Sequence, residues 1–133
     1  MLSRDEILGA DDLAREEVQV PEWHGAVFVR VMTGQERDYL DAASLNDQGD
    51  VKSVQERLAN YRGRLVALTA CQADGASLFV LADAEALGKK AARALDRLVE
   101  VAQRINAMTT EEVTLLTKNS DTTTDAVPGS ASP

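Results

Sequence analysis

Apolar residues between Lys90 and Asn106 recur at helical spacing. At about 100° per residue, Ala91, Ala94, Leu95, Leu98, Val101, Ala102 and Ile105 share one side, and Arg93, Asp96, Arg97, Glu100, Gln103 and Arg104 take the other, with Lys89 at its head. Nearly all of them are good helix formers. Such a face has to be covered, by the rest of the chain or by a partner. A second stripe, Val51, Val54, Leu58, Tyr61, Leu65 and Leu68, predicts a long helix from Val51 to about Cys71, capped by Asp50. Its spacing is that of a seam packed on another helix, and its end, LVALTAC, is almost wholly apolar. Arg62 intrudes on that side. Its stem is expected along the apolar surface with the head in water or against a carboxylate; the sharper reading sets it against an acidic group on a partner.

Elsewhere the period shortens to two. EVQV, from Glu17 to Val20, and AVFVRVM, from Ala26 to Met32, read as strands bracketing a turn with Pro21 and Gly25, an antiparallel hairpin. Val27, Val29 and Val31 line one face of it, Phe28 and Met32 the other. Trp23 sits in the turn, where its indole either folds back on a helix or serves as a partner anchor.

Three capping boxes punctuate the chain. Ser3 with Glu6 opens a short helix, Arg4–Leu8, ending near Gly9. Thr33 with Glu36 opens a surface helix to about Leu45, with only Tyr39, Leu40 and Ala43 to bury. Thr109 with Glu112 opens a last short helix carrying Val113, Leu115 and Leu116. Residues 46–50 and Asp74-Gly75 are turns by composition, and SLFVL (residues 77–81) reads as a brief extended piece. Asp83 is expected to cap a turn of helix, Ala84–Leu87, which Gly88 interrupts. From Ser120 to Pro133 there is almost nothing to bury, and this tail is expected to be disordered. The pattern predicts an α+β fold, mostly α: an N-terminal β-hairpin followed by a helical bundle built on two long amphipathic helices. It occupies residues 1–119 as a single domain, with residues 120–133 as the tail.

The totals narrow the function. A chain of 133 residues supports one domain with a real core. Aromatics are only 4%, which favours aliphatic helix packing. A net charge of −8 argues against nucleic acid or an anionic membrane as the main partner, since both need clustered Lys and Arg. One cysteine, Cys71, leaves no internal disulfide and no metal framework. No apolar run is long enough to span a bilayer, and none follows a basic start as in an export signal. The expectation is a soluble, cytosolic protein.

Chemistry-bearing residues are few. His24 is the sole histidine, beside no nucleophile motif, and reads as an ordinary surface residue. Cys71 reads as an inert buried thiol. The pairs Asp11-Asp12, Glu16-Glu17 and Glu111-Glu112 look like helix starts and solvated loops, and no calcium-loop spacing exists. Gly34, Gly49, Gly63 and Gly75 stand singly, so there is no phosphate loop. The reading is a non-enzyme without metal or cofactor. The large apolar residues on elements least able to bury them are Trp23, Phe28, Leu115 and Leu116; they are the candidate partner-binding residues, and they could equally complete the core.

Three blocks in order, VPEWHGAVFVRVMTGQERD, RLVAL-x-x-C-x-x-DG-x-x-LF and EALGKKAARALDRLVEVAQRINAMTTEEV, resemble the tail assembly chaperones of long-tailed bacteriophages and prophages. The likeness runs from about Met1 to Asn119. It is most telling at Pro21-Glu22-Trp23, followed by Val27, Val29, Arg30, Thr33-Gly34 and Glu36-Arg37-Asp38. The resemblance implies a protein needed to build a tail and absent from the mature virion, working in the host bacterial cytoplasm. Its implied partners are the tape measure protein, a very long helical chain that sets tail length, and the tail tube subunits it helps recruit. A small acidic domain laying an apolar groove on such a helix would keep it soluble by helix-in-groove recognition. The family commonly makes a longer second product by a ribosomal slip. Lys118 and Asn119 can be encoded AAA-AAC, part of a slippery heptamer, and are the candidate junction. The competing readings are a structural virion component, such as a head–tail connector or tail-completion protein, and an acidic antitoxin-like regulator. An apolar seam closes equally on its own chain or on a second copy, which leaves the oligomeric state open.

Overall fold

A computed structural model describes residues 1–43, 49, 53 and 60–108. The expected turn at residues 46–50 (apart from Gly49), Val51, Val54 and Leu58 of the second stripe, the helix opened at Thr109, Leu115, Leu116, Lys118, Asn119 and the tail from residue 120 lie outside them. The described elements run α1 (Arg4–Leu8), β1 (Arg15–Val20), a 3-10 turn (Pro21–Trp23), β2 (Gly25–Arg30), α2 (Gly34–Ala42), α3 (Tyr61–Thr69), β3 (Ala70–Cys71), a second 3-10 turn (Leu81–Asp83), α4 (Ala84–Leu87) and α5 (Ala92–Ile105).

The local signals that carry their own hydrogen bonds appear where expected. Glu6 N donates to Ser3 Oγ and Ser3 N to Glu6 Oε1, and the Thr33–Glu36 box closes in the same way. β1 and β2 form the hairpin, antiparallel from Arg15 opposite Arg30 to Val20 opposite Gly25.

Five expectations need correction. The helix read as reaching Cys71 stops at Thr69, because Ala70 turns to extended backbone and Ala70–Cys71 pairs antiparallel with Val29 and Phe28 as the third strand. Nor does it run unbroken from Val51: Asn60 stands at φ 58 as the cap of α3, a left-handed conformation that interrupts any helix. The described bundle therefore has one long amphipathic helix, α5. Asp83 does not cap α4; its carboxylate accepts from Val80 N and closes the preceding turn instead. The extended piece at 77–81 reduces to a single bridge from Ser77 to Cys71 before the chain enters the 3-10 turn. α5 begins at Ala92, because Lys89 N and Lys90 N are still donating to Ala86 O and Leu87 O to finish α4.

α5 lies across β1 and β2 with α3 beside it and α4 against α3. Of its expected apolar face Ala94, Leu95, Leu98 and Ala102 are buried, with Val99 joining them, Val101 and Ile105 are half-buried against the core, and Ala91 is exposed just ahead of the helix. Opposite stand Val18, Val20 and Val29 from the sheet and Leu65, Val66 and Leu68 from α3. Each large side chain so enclosed contributes about 1.5–3 kcal/mol. Gly63 permits the α3–α4 crossing, since a methyl there would overlap the Ala84 carbonyl. Leu40 anchors the otherwise exposed α2.

Candidate functional site

Side-chain parity divides the sheet into two faces. Val18, Val20, Val29 and Ala70 are turned to the helices and buried. On the other face a row crosses every strand: Glu17 lies opposite Phe28, Phe28 opposite Cys71, and Cys71 opposite Ser77. Phe28 is half-buried there and stands apart from the residues packed on the core. Trp23 is half-buried too, yet packs against the core. The turn holding it is fastened to α5 by Arg97, whose Nε and Nη2 donate to the Glu22 carboxylate at 2.8 and 3.0 Å. Those bonds hold Glu22 below the usual carboxylate range. So Phe28 and Trp23, ranked together by size, occupy opposite faces of the sheet.

The outer face is partly roofed by arginine. Arg15 reaches across from β1 and donates from Nε to Ala73 O at 2.7 Å. Arg30, 5% exposed, donates to Glu36 Oε1 at 3.1 Å and Oε2 at 2.8 Å and to Ser77 Oγ at 3.2 Å. Burial raises Glu36, and hydrogen bonds from Arg30 and the Thr33 backbone, with the Arg30 charge, more than reverse that, leaving it below its ordinary value. Cys71 beneath them is a buried free thiol, pushed up by desolvation.

Two apolar surfaces remain uncovered among the described residues. The arm ahead of β1 carries Leu2, Ile7 and Leu8 at 71%, 56% and 68% exposure, and α1 buries nothing. A five-residue helix held by its caps alone is marginal in water, so its apolar side chains call for a cover that the described residues do not supply. The other is Leu78, Val80 and Leu81, with Phe79 between them turned to the core. Asp5, Glu6, Asp11 and Asp12 flank the arm, while Arg4 is paired with Asp5. The surface is thus apolar and acidic together, suited to an apolar segment bordered by Lys or Arg.

His24 is exposed, at φ 58 after the 3-10 turn. Among the described residues no three His, Cys, Asp or Glu gather to hold a metal, and no helix there is long and apolar enough to cross a membrane. Arg62 Nε donates to Asp96 Oδ1 at 2.6 Å, so its head meets a carboxylate of its own chain. Sequence reading missed Asn106. Its Oδ1 accepts from Met32 N at 2.8 Å and its Nδ2 donates to Ala102 O, tying the end of β2 to the end of α5. A polar residue closing an apolar helix is the only local hint of that role.

No family model matches the chain, and no curated protein does. A solved structure does: the tail assembly chaperone of bacteriophage HK97 is similar at TM-score 0.55 and 19% identity, over 76% of this chain and 94% of that one. With identity that low, what the two chains share is the fold, that of a phage tail assembly chaperone.

Proposed function

We propose that this chain is a tail assembly chaperone, a non-catalytic protein that binds its client stoichiometrically while a phage tail is built. The observation that carries the reading is the fold shared with the HK97 protein over nearly the whole of that chain. The uncovered apolar arm, the 78–81 segment and the acidic balance support it, because a long helical client with apolar stripes needs a covering surface that also repels its own kind. The proposed client is the tape measure protein, with recruitment of tail tube subunits as a second task. The proposed site of action is the host cytoplasm. A longer form made by slippage at Lys118 and Asn119 belongs to the same proposal, and the codons at those positions test it: anything other than AAA-AAY removes the site.

Co-expression with a tape measure protein, supplied as a long helical chain, tests the main claim. The expected result is that the helical chain moves from the insoluble fraction into a complex with many copies of this protein, and that deletion of the gene abolishes tails. Normal tails without the gene, or abundant copies in purified virions, would overturn it, the latter in favour of a structural component.

A further inference from the structure

The outer edge of β1 is open among the described residues. β1 is the terminal strand in the order β1-β2-β3, and Val31 N donates to Ala14 O on its inner side. In an antiparallel ladder the inward pairs then fall at Glu16, Val18 and Val20, so the backbone groups of Leu13, Arg15, Glu17 and Gln19 point outward. No bulge or proline interrupts its six residues, Pro21 coming only after them, and its protection is charge alone, in Arg15, Glu16 and Glu17.

The charges along the edge select what it pairs with. We propose that β1 pairs antiparallel with β1 of a second copy, Arg15 of each chain opposite Glu17 of the other, joining the two sheets into one. This register is the one in which outward pairs attract. Shifting it by two in one direction sets Glu17 against Glu17, and in the other Arg15 against Arg15, both like-charge pairs on adjacent strands. Arg15 keeps Nε on Ala73 O, and its Nη nitrogens face no carboxylate among the described residues. Among the described residues the Glu17 carboxylate holds only a 3.3 Å bond from Gln19. On the helix side the two-fold axis brings the Glu16 residues together, each already carrying Arg104 Nη2 at 2.6 Å, so the centre is a balanced quartet. Continued outward, the register leads Asp12 and Asp11 of one copy toward the partner's Pro21–Trp23 turn, the end where Arg97 and Arg93 of α5 stand.

Sedimentation equilibrium on the full chain across the micromolar range tests this. The expected result is a monomer–dimer equilibrium that weakens as salt rises. Glu17→Arg should weaken it about tenfold or more through four facing cations. Glu17→Pro should abolish it while leaving the thermal unfolding transition in place, since that N–H makes no bond among the described residues. On mild oxidation Glu16→Cys should give a covalent dimer and Glu17→Cys little, with the wild type and its buried Cys71 as control. A monomer at every concentration, a dimer that survives Glu17→Pro, or efficient cross-linking through Glu17→Cys in place of Glu16→Cys would overturn the proposal. Should Glu17→Pro unfold the chain, the cysteine pair decides by itself.

Discussion

Arg30 and Glu36 meet as a two-pronged ion pair across the corner where β2 gives way to α2, at 3.1 and 2.8 Å. The guanidinium also holds Ser77, so one buried cation fixes strand, helix and the segment beyond β3. Removing one partner of such a pair strands the other charge. Because Glu36 is partly exposed, Glu36→Gln should cost about 2 kcal/mol, read as a lower urea midpoint at neutral pH.

The same pair sets an acid limit. Glu36 is held below its ordinary carboxylate value, so the unfolded chain takes up this proton first. The pair's contribution is complete above the unfolded value and is lost as pH falls through the lower folded one. Urea titrations from pH 6 down to pH 3 (roughly that window) should show wild-type stability falling and the Glu36→Gln slope flatter. Equal slopes would mean that other carboxylates, Glu22 and Glu6 among them, carry the acid response.

Ala107 ends α5 in the left-handed region, at φ 52. Met108 N donates to Gln103 O and Ala107 N to Arg104 O, the bond pair of a Schellman motif whose C′ position is usually glycine. Relief of the Cβ strain exceeds glycine's extra chain entropy. Ala107→Gly should therefore raise stability by about 0.5–1 kcal/mol, measured by thermal or urea unfolding.

Gly63 and Gly34 make an opposed pair. A Cβ at Gly63 would overlap the backbone of Ala84, which cannot swing aside, whereas nothing stands within 4 Å of one at Gly34. Gly63→Ala should lose about 3 kcal/mol by forcing α3 and α4 apart. Gly34→Ala, in the first turn of α2, should be neutral or gain about 0.5 kcal/mol. Urea unfolding of the two variants checks both signs.

What was legible in the sequence is what its local physics decides. The Ser3 and Thr33 boxes close within three residues, and the hairpin rests on period-two alternation with a Pro–Gly turn. Ala70–Cys71 was not legible: an unbroken apolar run fits a buried helix or a buried strand equally well, and only pairing with Val29 and Phe28 decides it. The contacts that fasten the hairpin to α5 are remote, Arg97 with Glu22 lying 75 residues apart and Arg104 with Glu16 88 apart. No pattern in one sequence joins such positions. Phe28 is an intermediate case, because parity assigns its face while only the packing of α5 reveals which face the helices take.

That division separates the two described aromatics as experimental targets. Trp23 packs on the core behind the Glu22–Arg97 clamp, so Trp23→Ala should cost about 2 kcal/mol and lower the unfolding midpoint before any binding effect is read. Phe28, on the outer face beside Glu17 and Cys71, loses only part of a side chain's burial, and Phe28→Ala should cost about 1 kcal/mol. If the outer face takes part in docking, Phe28→Ala should weaken co-purification with the proposed helical client well beyond what that loss of folded protein explains. Leu8→Asp on the unpacked arm should weaken it with the midpoint unmoved. Thermal unfolding and co-purification measured on the same preparations check this ordering, and a Phe28→Ala midpoint as low as that of Trp23→Ala would place Phe28 among the structural residues.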